Sequence, residues 1–113
     1  MMSGPATWVA SAGDLGRQVN FPASSKNVLA VGGTYLSNVS PRAESAWSGS
    51  GGGLSAYEVM PTWQSSVKIP GNPAGASLYN RIKPKRGVPD VAYNASGSSS
   101  VYVTHNGAWY GAS

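Results

Sequence analysis

The chain has 113 residues, of which 41% are hydrophobic and 11% are charged. This length suits one domain with a single core of limited size, and the composition argues against both a coiled coil and wholesale disorder. The 15 glycines and 8 prolines indicate much turn and loop. Because there is no cysteine, disulfide frameworks and thiolate metal sites are excluded.

Charge and hydropathy argue against nucleic-acid and membrane partners. The net charge is +4, but the basic residues are scattered apart from a run at Lys83, Lys85 and Arg86. No aromatic stacking pattern accompanies this run, so a solvated loop is the better interpretation. Residues 1–5 lack the basic start of a secretory signal, and no apolar window is long enough to span a membrane. We therefore expect neither nucleic acid nor membrane as a partner.

The first half of the chain predicts buried strands separated by glycine-rich turns. The apolar stretch 6–12 favours a strand that ends at the turn residues 13–16. Residues 28–31 form a continuous apolar run, which is typical of a strand buried on both faces and favours an α/β sheet. Residues 48–53, Ser-Gly-Ser-Gly-Gly-Gly, predict a loop suited to close approach of a ligand.

The second half predicts a helix, a strand and a hairpin. Pro61 suits the first turn of a short helix that extends to about Val67. The segment 71–84 predicts an irregular excursion, and 88–93 predicts a strand that the chain enters through a proline. Asn106-Gly107 lies between two β-forming runs and readily supplies the positive φ angles of a type I′ turn, which predicts a β-hairpin.

The chain contains four carboxylates, so candidates for acid–base chemistry are few. Asp14 follows the first strand, where it suits either a catalytic acid or a turn residue bonded to its own loop. Asp90 lies in an apolar strand and is assigned to the scaffold, because a buried carboxylate needs fixed hydrogen bonds. Glu44 and Glu58 have no partner at motif spacing, and solvation at the surface is the default for glutamate.

Several common catalytic and binding motifs are disfavoured. His105 is the only histidine and precedes the hairpin turn, so it offers neither a good triad position nor a metal-ligand cluster. Leu54 stands where a dinucleotide fingerprint needs glycine, and no Gly-Lys-Ser/Thr follows the glycine loop. No serine lies at the centre of Gly-x-Ser-x-Gly, which removes the usual esterase elbow.

Short motifs follow one another in a set order along nearly the whole chain. They are Ser11-Ala-Gly-Asp-Leu-Gly16, Val19-Asn-Phe-Pro-Ala-Ser-Ser25, Val28-Leu-Ala-Val-Gly-Gly-Thr34, Glu44-x-x-Trp47, Ser50-Gly-Gly-Gly-Leu-Ser55, Pro61-Thr-Trp-Gln64 and Arg86-Gly-Val-Pro-Asp-Val91. This series resembles the sedolisins, the serine-carboxyl peptidases with a subtilisin-like fold. The resemblance implies an α/β fold, part of a mostly parallel sheet with a C-terminal β-hairpin, truncated at both ends. Residues 1–113 would then be a single partial peptidase catalytic domain.

The resemblance implies an acid-active endopeptidase that works through an acyl-serine intermediate. In this family a serine nucleophile works with a glutamate base, which an aspartate orients, and another aspartate donates a hydrogen bond in the oxyanion hole. Asp14 matches that oxyanion aspartate, and Ser113 is the candidate nucleophile. A carboxyl group donates such a bond only while it is protonated, which favours activity at low pH, or nearer neutrality where burial raises the pKa of the carboxyl group.

The glycine loop is the second part of the site that the resemblance implies. Ser50, Gly51 and Gly52 match a strip along which an extended peptide lies, its backbone pairing with exposed N–H and C=O groups. Trp47 either lines a pocket or packs beneath this loop, and the sequence leaves both interpretations open. The implied substrate is a peptide or a protein, and the implied location is extracellular.

Departures from the family pattern support an alternative. The glutamate–aspartate pair lies upstream of the region around Asp14 and falls outside this sequence, and the approach to Ser113 is shortened. The alternative is a catalytically incomplete fragment that acts at most as a peptide-binding or oligomerising module, with self-association through exposed sheet edges. We expect no cofactor in this chain, because the family's calcium site would lie downstream of Ser113.

Overall fold

In the computed structural model, which describes residues 4–67 and 84–112, regular structure is almost entirely β-strand. The strands are β1 (Val9–Ser11), β2 (Leu29–Val39), β3 (Arg42–Ala46), β4 (Gly53–Val59), β5 (Lys85–Val88), β6 (Val91–Asn94), β7 (Val101–His105) and β8 (Ala108–Ala112). Ser113, the candidate nucleophile, and nearly all of the predicted excursion 71–84 lie outside the described residues.

Strand β2 organises the largest sheet, because it pairs with each of the other three strands. β1 and β6 run parallel to the first half of β2, with Ser11 opposite Val31 and Tyr93 opposite Gly33. β3 runs antiparallel to the second half of β2. β4 pairs with β5, and β7 with β8, in two separate antiparallel sheets. The sheets are mixed or antiparallel, so the predicted mostly parallel sheet is not confirmed.

The helical part of the predicted α/β fold is reduced to 3₁₀ turns in the part of the chain that the structure describes. The helix expected over 61–67 is a single turn at Thr62–Gln64, and a second turn spans Gly97–Ser99. Gln64 is buried, and its amide both donates to the Gly87 carbonyl at 2.8 Å and accepts from the Gly87 N–H at 2.9 Å. The Gln64 side chain therefore points inward and is bonded to Gly87 of β5, and the helix does not continue beyond this turn. None of the described helical segments is long and apolar enough to cross a membrane.

The strand predicted over 88–93 is divided at Pro89 and Asp90. β5, before this point, belongs to the sheet of β4, whereas β6, after it, belongs to the sheet of β2. Asp90 exchanges hydrogen bonds with Ala30 of β2: its N–H donates to the Ala30 carbonyl at 2.9 Å, and its carboxylate accepts from the Ala30 N–H at 2.8 Å. These bonds fix the crossing of the chain between the two sheets.

A buried ion pair lies at this crossing. Arg86 is fully buried, and two of its guanidinium nitrogens lie 2.9 and 2.8 Å from the two carboxylate oxygens of Asp90. The guanidinium also donates to the main-chain carbonyls of Ala23, Ser25 and Val28. Such forked geometry suits arginine. The prediction of a solvated basic loop is therefore wrong for Arg86, and the assignment of Asp90 to the scaffold is confirmed.

The hydrophobic core beside this ion pair is small and consists mainly of alanine. Its buried members are Ala10, Ala12, Ala23, Val28, Ala30 and Val88, with Val19 packed against them. Short side chains let strands and loops approach closely, but they bury little apolar area, so the hydrophobic contribution to stability is modest. Large apolar side chains remain exposed, among them Phe21, Tyr57 and Trp109.

Strands β7 and β8 pair antiparallel across Asn106 and Gly107. These turn residues have φ angles of 50° and 77°, as a type I′ turn requires. The register runs from Val101 opposite Ala112 to His105 opposite Ala108. All five residues of β7 are exposed. The hairpin is thus stabilised by its turn and by the hydrogen bonds between β7 and β8, since neither strand pairs with the sheet of β2.

Candidate functional site

Asp14 lies on a tight loop directly after β1. Gly13 and Gly16, on either side of it, have φ angles of 100° and 71°, which glycine adopts without strain. The Asp14 side chain is exposed and makes no hydrogen bond to any residue that the structure describes. The bond to its own loop that a turn role requires is therefore not formed, and the carboxyl group is open to a ligand.

The glycine-rich loop holds the loop of Asp14 in place. The Gly51 N–H donates to the Gly13 carbonyl at 2.7 Å, and the Gly16 N–H donates to the Gly49 carbonyl at 2.9 Å. These two bonds lie on opposite sides of Asp14 along the chain. The loop that carries the carboxylate is consequently fixed at both ends, an arrangement that the sequence did not predict.

Gly51 and Gly52, the predicted substrate contacts, use their N–H groups within the chain. Gly52 donates to the Gln18 carbonyl at 2.9 Å, and Gly51 donates to the Asp14 loop as described. A Cβ on Gly51 would overlap the Ala12 carbonyl oxygen, so only glycine allows the two loops to approach this closely. Contact of this strip with a substrate stays a prediction, and it would have to use groups other than these two N–H donors.

Ser50 is also bonded within the chain. Its Oγ accepts a hydrogen bond from the Gly33 N–H at 2.9 Å and donates one to the Gly51 carbonyl at 3.1 Å. The side chain thereby links the glycine-rich loop to β2. Its predicted contact with a substrate also stays a prediction.

An open cleft of about 530 Å³ has Asp14 in its wall. The other lining residues are mostly small or apolar, and Trp47 is the only aromatic one among the described residues there. A second cleft of about 530 Å³ shares Gly33 and Trp47 with the first and includes Glu44 and Ser50. Trp47 therefore lines clefts as well as packing against the glycine-rich loop. Gly33, which belongs to the Val28–Thr34 motif but was assigned no role in the site, is common to both clefts.

Two of the remaining carboxylates are held as ions. Glu44 accepts a hydrogen bond from Thr34 at 2.6 Å and pairs with Arg42, and these contacts hold its pKa below the usual range. Burial raises the pKa of Asp90, but hydrogen bonds, chiefly from Arg86, outweigh burial and leave that pKa lowered. A carboxylate with a lowered pKa is a weak base, so neither group is suited to activating a serine.

The described residues bring Asp14, the glycine-rich loop and Trp47 together, while Ser113 lies outside them. His105 lies on the exposed strand β7, with its ring centroid 6.4 Å from that of Tyr110, and it lines neither of the two clefts of about 530 Å³. Across residues 4–67 and 84–112, no cluster of three or more His, Asp or Glu side chains could hold a metal ion.

No family model matches the chain. Three curated proteins are similar to most of its length. Kumamolisin from Bacillus sp. (strain MN-32) is 36% identical over 120 aligned residues, covering 89% of this chain and 20% of kumamolisin. Sedolisin from Pseudomonas sp. (strain 101) is 34% identical, covering 79% of this chain and 15% of sedolisin. Xanthomonalisin from Xanthomonas sp. (strain T-22) is 33% identical, covering 80% and 12%.

A solved structure supports the same relationship. Pseudomonas sedolisin, a serine-carboxyl proteinase complexed with two molecules of pseudo-iodotyrostatin, matches with a TM-score of 0.71 at 30% identity. The match covers 94% of this chain and 33% of the sedolisin chain, and the curated relatives are spanned over 20% of their length or less. Over the partial region that it spans, the chain belongs to the sedolisin family of serine-carboxyl peptidases.

Proposed function

We propose that residues 1–113 are one part of the catalytic domain of an acid-active endopeptidase, with Asp14 in the oxyanion hole and Ser113 as the nucleophile. The placement of Asp14 carries the proposal: its carboxyl group is exposed in a cleft, on a loop that backbone hydrogen bonds fix at both ends. A donor that is fixed before charge develops stabilises the transition state without reorganisation.

The proposed reaction is acyl transfer to Ser113 followed by hydrolysis. Ser113 Oγ attacks the carbonyl carbon of the peptide bond, and its proton passes to a base. The oxyanion that forms accepts a hydrogen bond from protonated Asp14. Collapse of this intermediate breaks the C–N bond, the amine leaves with a proton, and water then hydrolyses the acyl-serine. Because the oxyanion donor must be protonated, we propose that the reaction proceeds in acid.

The base has no evident counterpart among the four carboxylates of the chain. Glu44 and Asp90 are occupied by Arg42 and Arg86, respectively, and Asp14 must hold its proton for the oxyanion role. The fourth carboxylate, Glu58, lines neither of the two clefts of about 530 Å³ beside Trp47. We propose that another segment of the peptidase supplies the glutamate and its orienting aspartate. The same observation favours the alternative function, a catalytically incomplete fragment that binds peptides or self-associates without turnover.

The family relationship supports a peptide or protein as substrate and an extracellular setting for the peptidase. Pseudomonas sedolisin was solved with pseudo-iodotyrostatin bound, which supports the proposal that the matching region of this chain contributes to a ligand site. The fixed Asp14 loop and the open cleft beside it are the features to which we assign substrate binding.

Cleavage of a denatured protein at roughly pH 3 to 5, around the ordinary pKa of aspartate, tests the proposal. In the peptidase that carries this region together with the proposed glutamate base, we expect cleavage, with an acyl adduct on Ser113 in mass spectra, and no cleavage by Ser113→Ala. Cleavage that survives Ser113→Ala would refute serine catalysis by this chain. Peptide binding without turnover or adduct would select the binding module instead.

A further inference from the structure

Trp47 packs against the glycine-rich loop and also borders open clefts. The chain has four tryptophans, and the other three are 43%, 56% and 70% exposed at Trp8, Trp63 and Trp109. Trp47 is only half-buried, yet it borders three open clefts, two of about 530 Å³ and one of about 290 Å³. Although Trp47 is the least exposed of the four, part of its indole lines the cleft that contains Asp14.

The indole ring is held against two glycines. A Cβ on Gly33 would lie 2.7 Å from Trp47 Cε3, and a Cβ on Gly49 would overlap Cζ2 of the same six-membered ring. The main chain is fixed as well, because the Trp47 N–H donates to the Gly33 carbonyl at 3.1 Å and its carbonyl accepts from the Ser50 N–H at 3.0 Å. A side chain that is already ordered loses little entropy when a ligand packs on it.

The rest of the cleft suits a large apolar group. Val9 and Val31 lie in its wall with Trp47, and Gly32 and Ala95 leave room between them. The carboxyl group of Asp14 is the one ionisable group among the described lining residues. Mostly apolar clefts of this size with a few polar groups are typical of ligand sites, and an aromatic wall adds contact area.

We propose that Trp47 is a specificity-determining residue, whose indole forms the wall of a subsite for a large apolar side chain of the peptide bound at Asp14. The inference rests on the proposed function, because it assumes that the peptide backbone lies next to Asp14. It adds a substrate preference: peptides with phenylalanine or leucine near the bond to be cleaved bind better than those with glycine.

Calorimetric titration of the full chain with the peptides Ac-Gly-Gly-Xaa-Gly-Gly-NH₂, where Xaa is Phe, Leu or Gly, tests this inference at roughly pH 4. We expect the Phe and Leu peptides to bind about tenfold more tightly than the Gly peptide, as burial of one large apolar side chain supports. Trp47→Ala should reduce this ratio to about twofold or less, and Trp47→Phe should retain most of it. Trp63→Ala, a matched control whose side chain is 56% exposed, should leave the ratio unchanged.

The outcomes separate the inference from the proposed function. Peptide binding with the same Phe-to-Gly ratio in wild type and Trp47→Ala would overturn the inference and leave the proposed function standing. An equal loss of affinity for all peptides, with a lowered melting temperature, would assign Trp47 a structural role and also overturn it. If wild type neither binds nor cleaves any peptide, the proposed function fails, and the inference fails with it.

Discussion

The Gly51 N–H donates a hydrogen bond to the Gly13 carbonyl at 2.7 Å, and this bond joins the glycine-rich loop to the loop that carries Asp14. Glycine is needed at position 51 because the backbone of one loop lies against the backbone of the other. The resemblance to the sedolisins assigned this loop to substrate contact. In the structure, hydrogen bonds from the glycine-rich loop hold the loop of the candidate oxyanion residue in place. The glycines therefore contribute to the geometry of the site.

Gly51→Ala should separate these two loops. The added methyl group would overlap the Ala12 carbonyl oxygen, so we expect a loss of about 1–3 kcal/mol in the free energy of unfolding, as for other overpacked sites. Amide hydrogen exchange at Gly16, which bonds to the glycine-rich loop, should become faster. Gly97→Ala is the matched control, because a Cβ there meets no atom within 4 Å. Equal stability of the two variants would contradict this account of the loops.

Substitution of Asp14 should change the pH dependence of cleavage. Asp14→Ala removes the donor, and we expect a rate loss of about 10²–10³-fold, as for other oxyanion-hole donors. Asp14→Asn keeps an N–H donor that needs no proton from solvent, so its activity should depend less on pH across the acid range. The measurement is kcat/KM against pH for the three proteins. A steeper fall of kcat/KM with pH for Asp14→Asn than for Asp14→Ala would exclude the oxyanion role.

Local features of the fold were predictable because a few neighbouring residues determine them. Asn106-Gly107 sets the φ angles of its turn, and the two strands that flank it follow from that turn. The apolar runs also placed β1 and the beginning of β2. By contrast β3, Arg-Ala-Glu-Ser-Ala, has no apolar alternation and is exposed throughout, so its strand conformation comes from pairing with β2.

Features that depend on distant parts of the chain were not predictable. Arg86 lies in a basic run that favours a solvated loop, but its guanidinium finds carbonyls at Ala23 and Val28, about sixty residues away. The link between Gly51 and Gly13 is of the same kind. The sequence could name Asp14 as a candidate, whereas the loop that fixes it and the position of Trp47 beside it required the tertiary structure.

Arg86→Met should destabilise the chain strongly. The substitution leaves the partly buried Asp90 with a charge whose main partner is gone, beside a small core. We expect a loss of about 3 kcal/mol in the free energy of unfolding, at the lower end for buried pairs because the Asp90 side chain keeps 13% exposure. Arg42→Met, which breaks the exposed pair with Glu44, is the control and should cost much less. Chemical denaturation of both variants measures the difference, and similar losses would contradict the structural role of Arg86.

The stability of the chain should fall in strong acid as Asp90 takes up a proton. Its pKa in the folded chain lies below the ordinary value of 3.8, because the hydrogen bonds of Arg86 and its neighbours outweigh burial. The ion pair therefore stabilises the fold fully above about pH 3.8, and this stabilisation is lost as the pH falls through the folded-state pKa. The contribution of this ion pair should thus still be complete in the upper part of the range of roughly pH 3 to 5 proposed for cleavage. Urea denaturation at a series of pH values should show a steeper acid loss for wild type than for Asp90→Asn, which lacks the titrating group. Parallel curves would mean that another group controls acid unfolding.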